Sequence, residues 1–363
     1  MSARRKILLG PLDWGLGHTT RCIPVIRQLL EHGFEVLAGV EGRPAALLKK
    51  EIPQVEQVTL PGYGIQYAKG SGMALRLALQ LPHIRRVIRL EHEFLDKMVK
   101  DGRVDAVISD NRFGLWSSKI PSIYITHQLT IKTPPALAFA EVVLHRWHAS
   151  YIRHFNECWI PDMEDDGLSG ELAHKRPSPV PAYFIGPLSR FQPATPVPDK
   201  KFDLMFIISG PEPQRSFFED IAMQALTSGR YRALILTGKP ETFESRSQGD
   251  ILEIYSHMDT ASMQAAMLAS GLIICRPGYS GIMDLATLGC RAAFVPTPGQ
   301  TEQEYLAHFH AIKKHYFNVR QKQFDLERLI NGAKEYKGIK IRPDSSMLKA
   351  RIDELAARLT RQR

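Results

Sequence analysis

Twice along this chain a short apolar run breaks into a loop nearly bare of large side chains and then into helical spacing. Lys6–Leu12 leads through Asp13-Trp14-Gly15-Leu16-Gly17-His18 to Thr20–His32, where Ile23, Ile26, Leu29 and Leu30 keep a helical period and Gly33 supplies a stop. Asp203–Ile208 leads through Ser209-Gly210-Pro211-Glu212-Pro213 to a helix from about Gln214 to Ser228. A chain that turns from strand straight into helix has few folds open to it. Repeated, the pattern builds βαβ units around a mainly parallel sheet.

The rest of the sequence continues the alternation. Phe34–Val40, Val55–Leu60, Asp105–Ser109, Ser122–Thr126 and Cys158-Trp159-Ile160 read as strands. Helices are expected near Arg43–Lys50, over Met73–Lys100 with an interruption at Pro82, and around Ala136–Phe155. After a proline-dense segment, Arg176–Lys201, strands are expected at Ala233–Leu236, Glu253–Tyr255, Leu272–Ile274 and Ala292–Val295. Helices are expected at Ala261–Ala269, Ser280–Leu288, Glu302–Lys314 and, basic and amphipathic, Met347–Gln362. With 363 residues, 44% of them apolar, two cores can be filled. The expected fold class is α/β with two doubly wound Rossmann-like domains facing a central cleft. Its parts are residues 1–186, a linker at 187–201, residues 202–343, and a C-terminal helix at 344–363 that is expected to pack back on the first domain.

A net charge of +9 favours anionic partners, whether nucleic acid, anionic headgroups or phosphorylated small molecules. No recognition-helix motif or interleaved aromatic stripe favours nucleic acid. No apolar run reaches the roughly 18 to 20 residues of a membrane span, and the segment behind Arg4-Arg5-Lys6 is too short for a signal peptide. The expectation is a cytoplasmic protein that meets a membrane only from the surface. Cys22, Cys158, Cys275 and Cys290 form no CxxC pair and read as buried free thiols rather than zinc ligands.

Ligands of doubly wound sheets bind beyond the carboxyl ends of the strands, at helix N-termini. In the first loop, Gly15 and Gly17 permit close backbone approach, and the free N–H groups of the next helix face negative charge. His18 is suited to take a proton from a hydroxyl near neutral pH. A tight turn carrying a surface histidine accounts for the same residues. In the second loop, Gly210 and the helix start suit a phosphate, with Arg215 as counter-charge; a proline-led helix entry explains it equally. The third stretch, Ile274–Phe309, runs through Pro277-Gly278-Tyr279-Ser280-Gly281 into a helix carrying Asp284. There a carboxylate can accept two ribose hydroxyls while the helix start holds phosphate, and Gln303 offers donor and acceptor to a sugar hydroxyl; an ordinary glycine-led helix entry with a solvated acidic face accounts for the stretch equally.

With these residues the chain resembles the GT-B glycosyltransferases, and most closely the family 28 enzymes that add N-acetylglucosamine in peptidoglycan synthesis and their lipid-sugar relatives. Cys275-Arg276, Gly278, Asp284, Gly289, Phe294-Val295-Pro296 and Gln303 fall in that family's order and spacing. Met263 stands where the family has a methionine beside the nucleobase, Gly238-Lys239 at its Gly-Lys pair, and Arg215 at the arginine closing its phosphate loop. Gly15, Gly17 and His18 match its acceptor-side loop, and Gly186-Pro187 its crossing between domains. Four positions depart from the pattern. Asp284 replaces the usual glutamate, Pro211 and Pro213 replace glycine and serine, and Pro277 replaces a small residue.

The resemblance implies an N-terminal domain for the acceptor and a C-terminal domain for a nucleotide sugar, usually a uridine diphosphate sugar. Transfer would proceed with inversion and without a metal or other cofactor. His18 is the first choice for the base, Asp110 the second and His127 the third, with His127 more suited to contact the acceptor beside Gln128. Lys239 or Arg215 would assist the leaving diphosphate, and Tyr279 and Ser280 belong to its grip. Glu164, Asp165 and Asp166 read as an exposed turn rather than a metal site. Met73–Leu90, with Arg76, Arg85, Arg86 and Arg89, suits an anionic membrane and a lipid-linked acceptor; a core-facing helix with a basic outer face suits it equally. Two rival readings are a nucleotide-sugar hydrolase, in which water replaces the acceptor, and a non-enzymatic basic module that binds nucleic acid. No GxSxG elbow supports a triad hydrolase.

Overall fold

The computed structural model of the chain describes residues 4–64, 73–134, 137–193, 198–242 and 244–361. It divides into two compact units, each built on its own seven-stranded sheet.

The first unit contains β1 (Lys6–Pro11), α1 (Leu16–Glu31), β2 (Glu35–Gly39), α2 (Gly42–Glu51), β3 (Glu56–Val58), α3 (Met73–Lys100) from Leu79 onward, β4 (Ala106–Asp110), β5 (Ser122–Ile125), α4 (Ala140–Ile152), β6 (Glu157–Ile160), α5 (Glu171–His174) and β7 (Ala182–Phe184). Its strands lie in the order β3-β2-β1-β4-β5-β6-β7, all parallel. Ile7, Leu8 and Leu9 of β1 and Ala106, Val107 and Ile108 of β4 are wholly buried, as befits central strands covered on both faces. Pro82 sits inside α3 without ending it; the residue is exposed, on the side where a helix absorbs a bend most easily. The expected start of α4 at Ala136 and the side chain of Arg76 lie outside the described residues.

The second unit contains β8 (Phe202–Ile207), α6 (Gln214–Ala225), β9 (Ala233–Leu236), β10 (Ser245–Gln248), β11 (Leu252–Tyr255), α7 (Thr260–Leu268), β12 (Ser270–Cys275), α8 (Tyr279–Leu288), β13 (Ala292–Phe294), α9 (Thr301–Ile312), β14 (Phe317–Asn318) and α10 (Leu326–Ala333). The order is β10-β11-β9-β8-β12-β13-β14, parallel except for β10. Leaving out the antiparallel edge, this repeats the order of the first unit through its sixth strand. In both sheets the direction of winding reverses beside the first strand, between β1 and β4 and between β8 and β12. Those two switch points are where such sheets bind ligands.

The last helix, α11 (Ser346–Arg361), belongs to the first unit. It buries Leu348, Ile352, Leu355 and Leu359 and contacts α1. His32 bonds Asp353 at 2.9 Å, and Arg358 donates to Glu157 at 2.8 Å. The proline-dense segment is not a bare spacer. β7 lies within it, and Leu188, Arg190 and Phe191 are buried.

Candidate functional site

At the first unit's switch point, β1 ends at Pro11 opposite Asp110, the last residue of β4. The chain then reaches Gly15, the N-cap of α1, at φ 128°, a conformation that glycine alone enters freely. Gly15 brings no capping side chain to the helix, whose first turn carries Gly17 and His18. His18, Arg21 and Cys22, spaced three and four residues apart, share one helix face, and all three meet Asp110.

Asp110 is fully buried. Its Oδ2 accepts from Arg21 Nε at 2.8 Å and from Cys22 Sγ at 3.4 Å. Its Oδ1 accepts from Arg21 Nη2 and lies 3.2 Å from His18 Nδ1. Burial alone would raise this carboxyl's pKa, but Arg21 and His18 outweigh it and hold the group well below the usual carboxylate range. A carboxylate so fully engaged is a poor proton acceptor, which argues against Asp110 as the base. His18 keeps 18% of its side chain exposed. Burial, followed by the Arg21 charge, pulls its pKa below the ordinary value, against the opposing pull of Asp110. Its ring is therefore neutral at physiological pH, with Nδ1–H on the carboxylate and a lone pair at Nε2. His127, just past β5, is buried with Nδ1 3.0 Å from Arg21 Nη1. Gln128 is half-buried, its backbone N–H on Thr126 Oγ1. Sequence reasoning gave Arg21 no part in the base's setting, although its spacing from His18 was a usable signal.

At the second unit's switch point, Gly210 follows β8 at φ 106° with open space where a Cβ would stand. Gly238, after β9, is confined: a Cβ there would lie 2.5 Å from the Ile208 carbonyl oxygen. Arg215 Nε donates to Glu212 at 2.6 Å and its Nη1 to Glu219 at 2.8 Å. Lys239 is more open, 3.7 Å from Glu219. Beyond β12, Gly278 caps α8 without a side-chain bond, and Tyr279 and Ser280 form the first turn. Asp284, one turn on, is half-buried and accepts from Ser189 Oγ at 2.6 Å. Burial pushes its carboxyl up to about 6, against the pull of Arg190 and of the Ser189 bond. Arg190 Nη2 also donates to Met263 Sδ at 2.9 Å. Gln303 accepts from the Thr297 N–H at 2.9 Å. Ser189 and Arg190 were missed from the sequence, since nothing local marks residues that meet partners more than seventy positions away.

Glu164, Asp165 and Asp166 follow β6, with Asp166 at φ 51°. Among the described residues no three or more His, Cys, Asp or Glu side chains are grouped so that they could hold a metal ion, and no helix is long and apolar enough to cross a membrane.

Residues 212–357 match the model of the glycosyltransferase family 28 C-terminal domain. Two proteins named only as glycosyltransferases are similar over most of their length. One, from Methanosarcina mazei, is 21% identical over 316 residues, 82% of this chain and 81% of its own. The other, from Methanosarcina acetivorans, is 23% identical over 323 residues with the same shares. Among solved structures, Acinetobacter baumannii MurG is similar with a TM-score of 0.54 at 15% identity, covering 97% of this chain and all of that one. The glycotransferase of kitacinnamycin reaches 0.62 at 15% identity over 99% and 96% of the two chains. Arabidopsis thaliana UGT89C1, solved with UDP-L-rhamnose, reaches 0.60 at 14% identity over 99% and 95%.

Proposed function

We propose that the chain is a glycosyltransferase of the GT-B type, in line with the match of residues 212–357 to the family 28 C-terminal domain, and that it moves a hexosyl group, such as N-acetylglucosamine, from a uridine diphosphate sugar to a hydroxyl of a lipid-linked or saccharide acceptor. The observation that carries this reading is the His18–Asp110 pair at the first unit's switch point. Asp110 holds Nδ1–H, and Nε2 takes the proton of the acceptor hydroxyl. The freed oxygen forms the new bond to the anomeric carbon, whose bond to the diphosphate breaks, with inversion. Gly15, Gly17, His127 and Gln128 line the acceptor side.

The diphosphate leaves with its charge against the backbone N–H groups at Gly210 and at the start of α8, with Lys239 nearby, and no metal is called for. Asp284 takes the ribose hydroxyls and Met263 lies against the base. Gln303 turns its amide toward the sugar. A related fold solved with UDP-L-rhamnose supports a uridine nucleotide.

A thermal-shift screen against nucleoside diphosphates tests the donor. Uridine diphosphate should raise the melting temperature and the others should not. His18→Ala should bind it unchanged and lose on the order of 100-fold or more in turnover. Full activity in that variant removes His18 from the role.

We propose a peripheral place at an anionic, cytoplasmic membrane face. α3 exposes Leu79, Leu81 and Leu90 among Arg85, Arg86 and Arg89, and Phe139 and Val143 stand exposed where α4 begins. Full-length protein should sediment with phosphatidylglycerol vesicles, be released by salt, and ignore neutral vesicles. Equal partition to both kinds overturns this placement.

A further inference from the structure

Arg21 is buried on the α1 face that carries His18, with 1% of its side chain exposed. Two of its nitrogens bind Asp110 and a third, Nη1, lies 3.0 Å from His127 Nδ1. A guanidinium offers only donors and does not lose its proton in a protein. The direction of the third bond is therefore fixed. His127 Nδ1 accepts, so the neutral ring carries its hydrogen on Nε2. An ionised carboxylate offers only acceptors. The contact of Asp110 with His18 Nδ1 then demands a hydrogen on that nitrogen and leaves the lone pair on Nε2. One arginine, acting directly on one ring and through a shared carboxylate on the other, sets two imidazoles in opposite tautomers.

We propose that Arg21 is a positioning residue that makes His18 a proton acceptor and His127 a hydrogen-bond donor, each at Nε2. The site then takes the acceptor's proton at one ring and steadies a substrate oxygen with the other. This rests on the reading of His18 as the base and gives His127 a separate task.

The charges around His18 agree. From α1 it faces Arg21, and beside it Cys22, which burial keeps as a neutral thiol. From β4 it faces Asp110, and from the end of β5 it faces His127. Tyr124 of β5, near Asp110 and Arg21, is kept neutral by burial. Arg21 and Asp110 are thus the fixed opposite charges of the cluster, and the arginine offsets the pull by which the carboxylate would otherwise keep His18 protonated.

The test is nitrogen NMR of the full-length protein labelled with 15N-histidine, the rings assigned by His18→Gln and His127→Gln. It needs no substrate. Above the titration range His18 should carry its hydrogen on Nδ1 and His127 on Nε2. Both rings in the same form, or His127 with hydrogen on Nδ1, overturns the proposal. Arg21→Met should raise the His18 titration midpoint by about one unit and free His127 to populate both forms. Arg21→Lys keeps a charge beside Asp110 but lacks the fork. It should hold the His18 midpoint near the wild-type value while His127 still loses its single form. An arginine needed only for packing would leave both readouts unchanged in a folded variant. If Arg21→Met does not fold, the wild-type tautomers and the lysine variant decide alone. Failure of uridine diphosphate to bind would sink the donor assignment and leave these ring states as they are, so the two failures are separable.

Discussion

Asp110 is buried and Asp284 half-buried, and their surroundings drive the two carboxylates apart. Asp110 has a guanidinium clamped on it, whose pull together with that of His18 outweighs burial, and it stays ionised. Asp284 has a serine hydroxyl and a less direct arginine, so burial wins and its carboxyl rises from 3.8 to about 6. The folded state therefore binds this proton more tightly than the unfolded chain does. Its contribution to stability is complete below about pH 4 and is lost as pH rises through 6, a fall on the order of 3 kcal/mol for a two-unit shift. Asp284→Asn should remove that fall from the pH dependence of denaturant unfolding. In the intact protein, hydroxyl groups of a bound ribose would favour the ionised form, so affinity for uridine diphosphate should rise with pH through 6. Titration calorimetry that finds affinity flat from pH 5 to 7, by a rough choice of range around that value, would remove Asp284 from the nucleotide site.

At the scale of elements, the two switch points share a device. A strand ends, glycine takes the chain round, and a helix begins on a glycine N-cap that brings no side chain, as at α1 and α8. Gly15 is held there by conformation, at φ 128°. Gly278 is different: its φ is −73° and no atom lies within 4 Å of where a Cβ would stand. Gly278→Ala should therefore leave stability within about 0.5 kcal/mol, yet lower affinity for uridine diphosphate roughly tenfold, if the diphosphate fills that space. Unchanged affinity would place the phosphates elsewhere. These entries were legible in the sequence because glycine after an apolar run followed by helical spacing is a local pattern. The short elements were not. β10, all of it exposed, reads as Ser-Arg-Ser-Gln, with no apolar alternation to mark a strand. β14 is two residues long. Such strands exist because a neighbouring edge offers them hydrogen bonds, which no local period records.

For the whole molecule, chain order and spatial order part company at α11. It comes last in sequence and completes the first unit, burying four apolar side chains that are each worth roughly 1.5–3 kcal/mol. Ending the chain at Pro343 should remove much of the typical 5–15 kcal/mol stability margin of a domain. Limited proteolysis should then degrade the first unit while a fragment near residues 189–343 persists; survival of both would show α11 to be dispensable. The amphipathic pattern of this helix was visible in advance, because periodicity along one's own helix needs no partner.

The sequence by itself determined the alternation of strands and helices, the two-unit division and the glycine-led helix starts, since each rests on neighbours a few positions apart. Only the tertiary structure decided how the charges are used. Asp110 meets Arg21 from 89 positions away, and Ser189 reaches Asp284 across 95. A charge takes the partner that folding brings within about 3 Å, and that distance is set by the order of strands in a sheet, not by position along the chain.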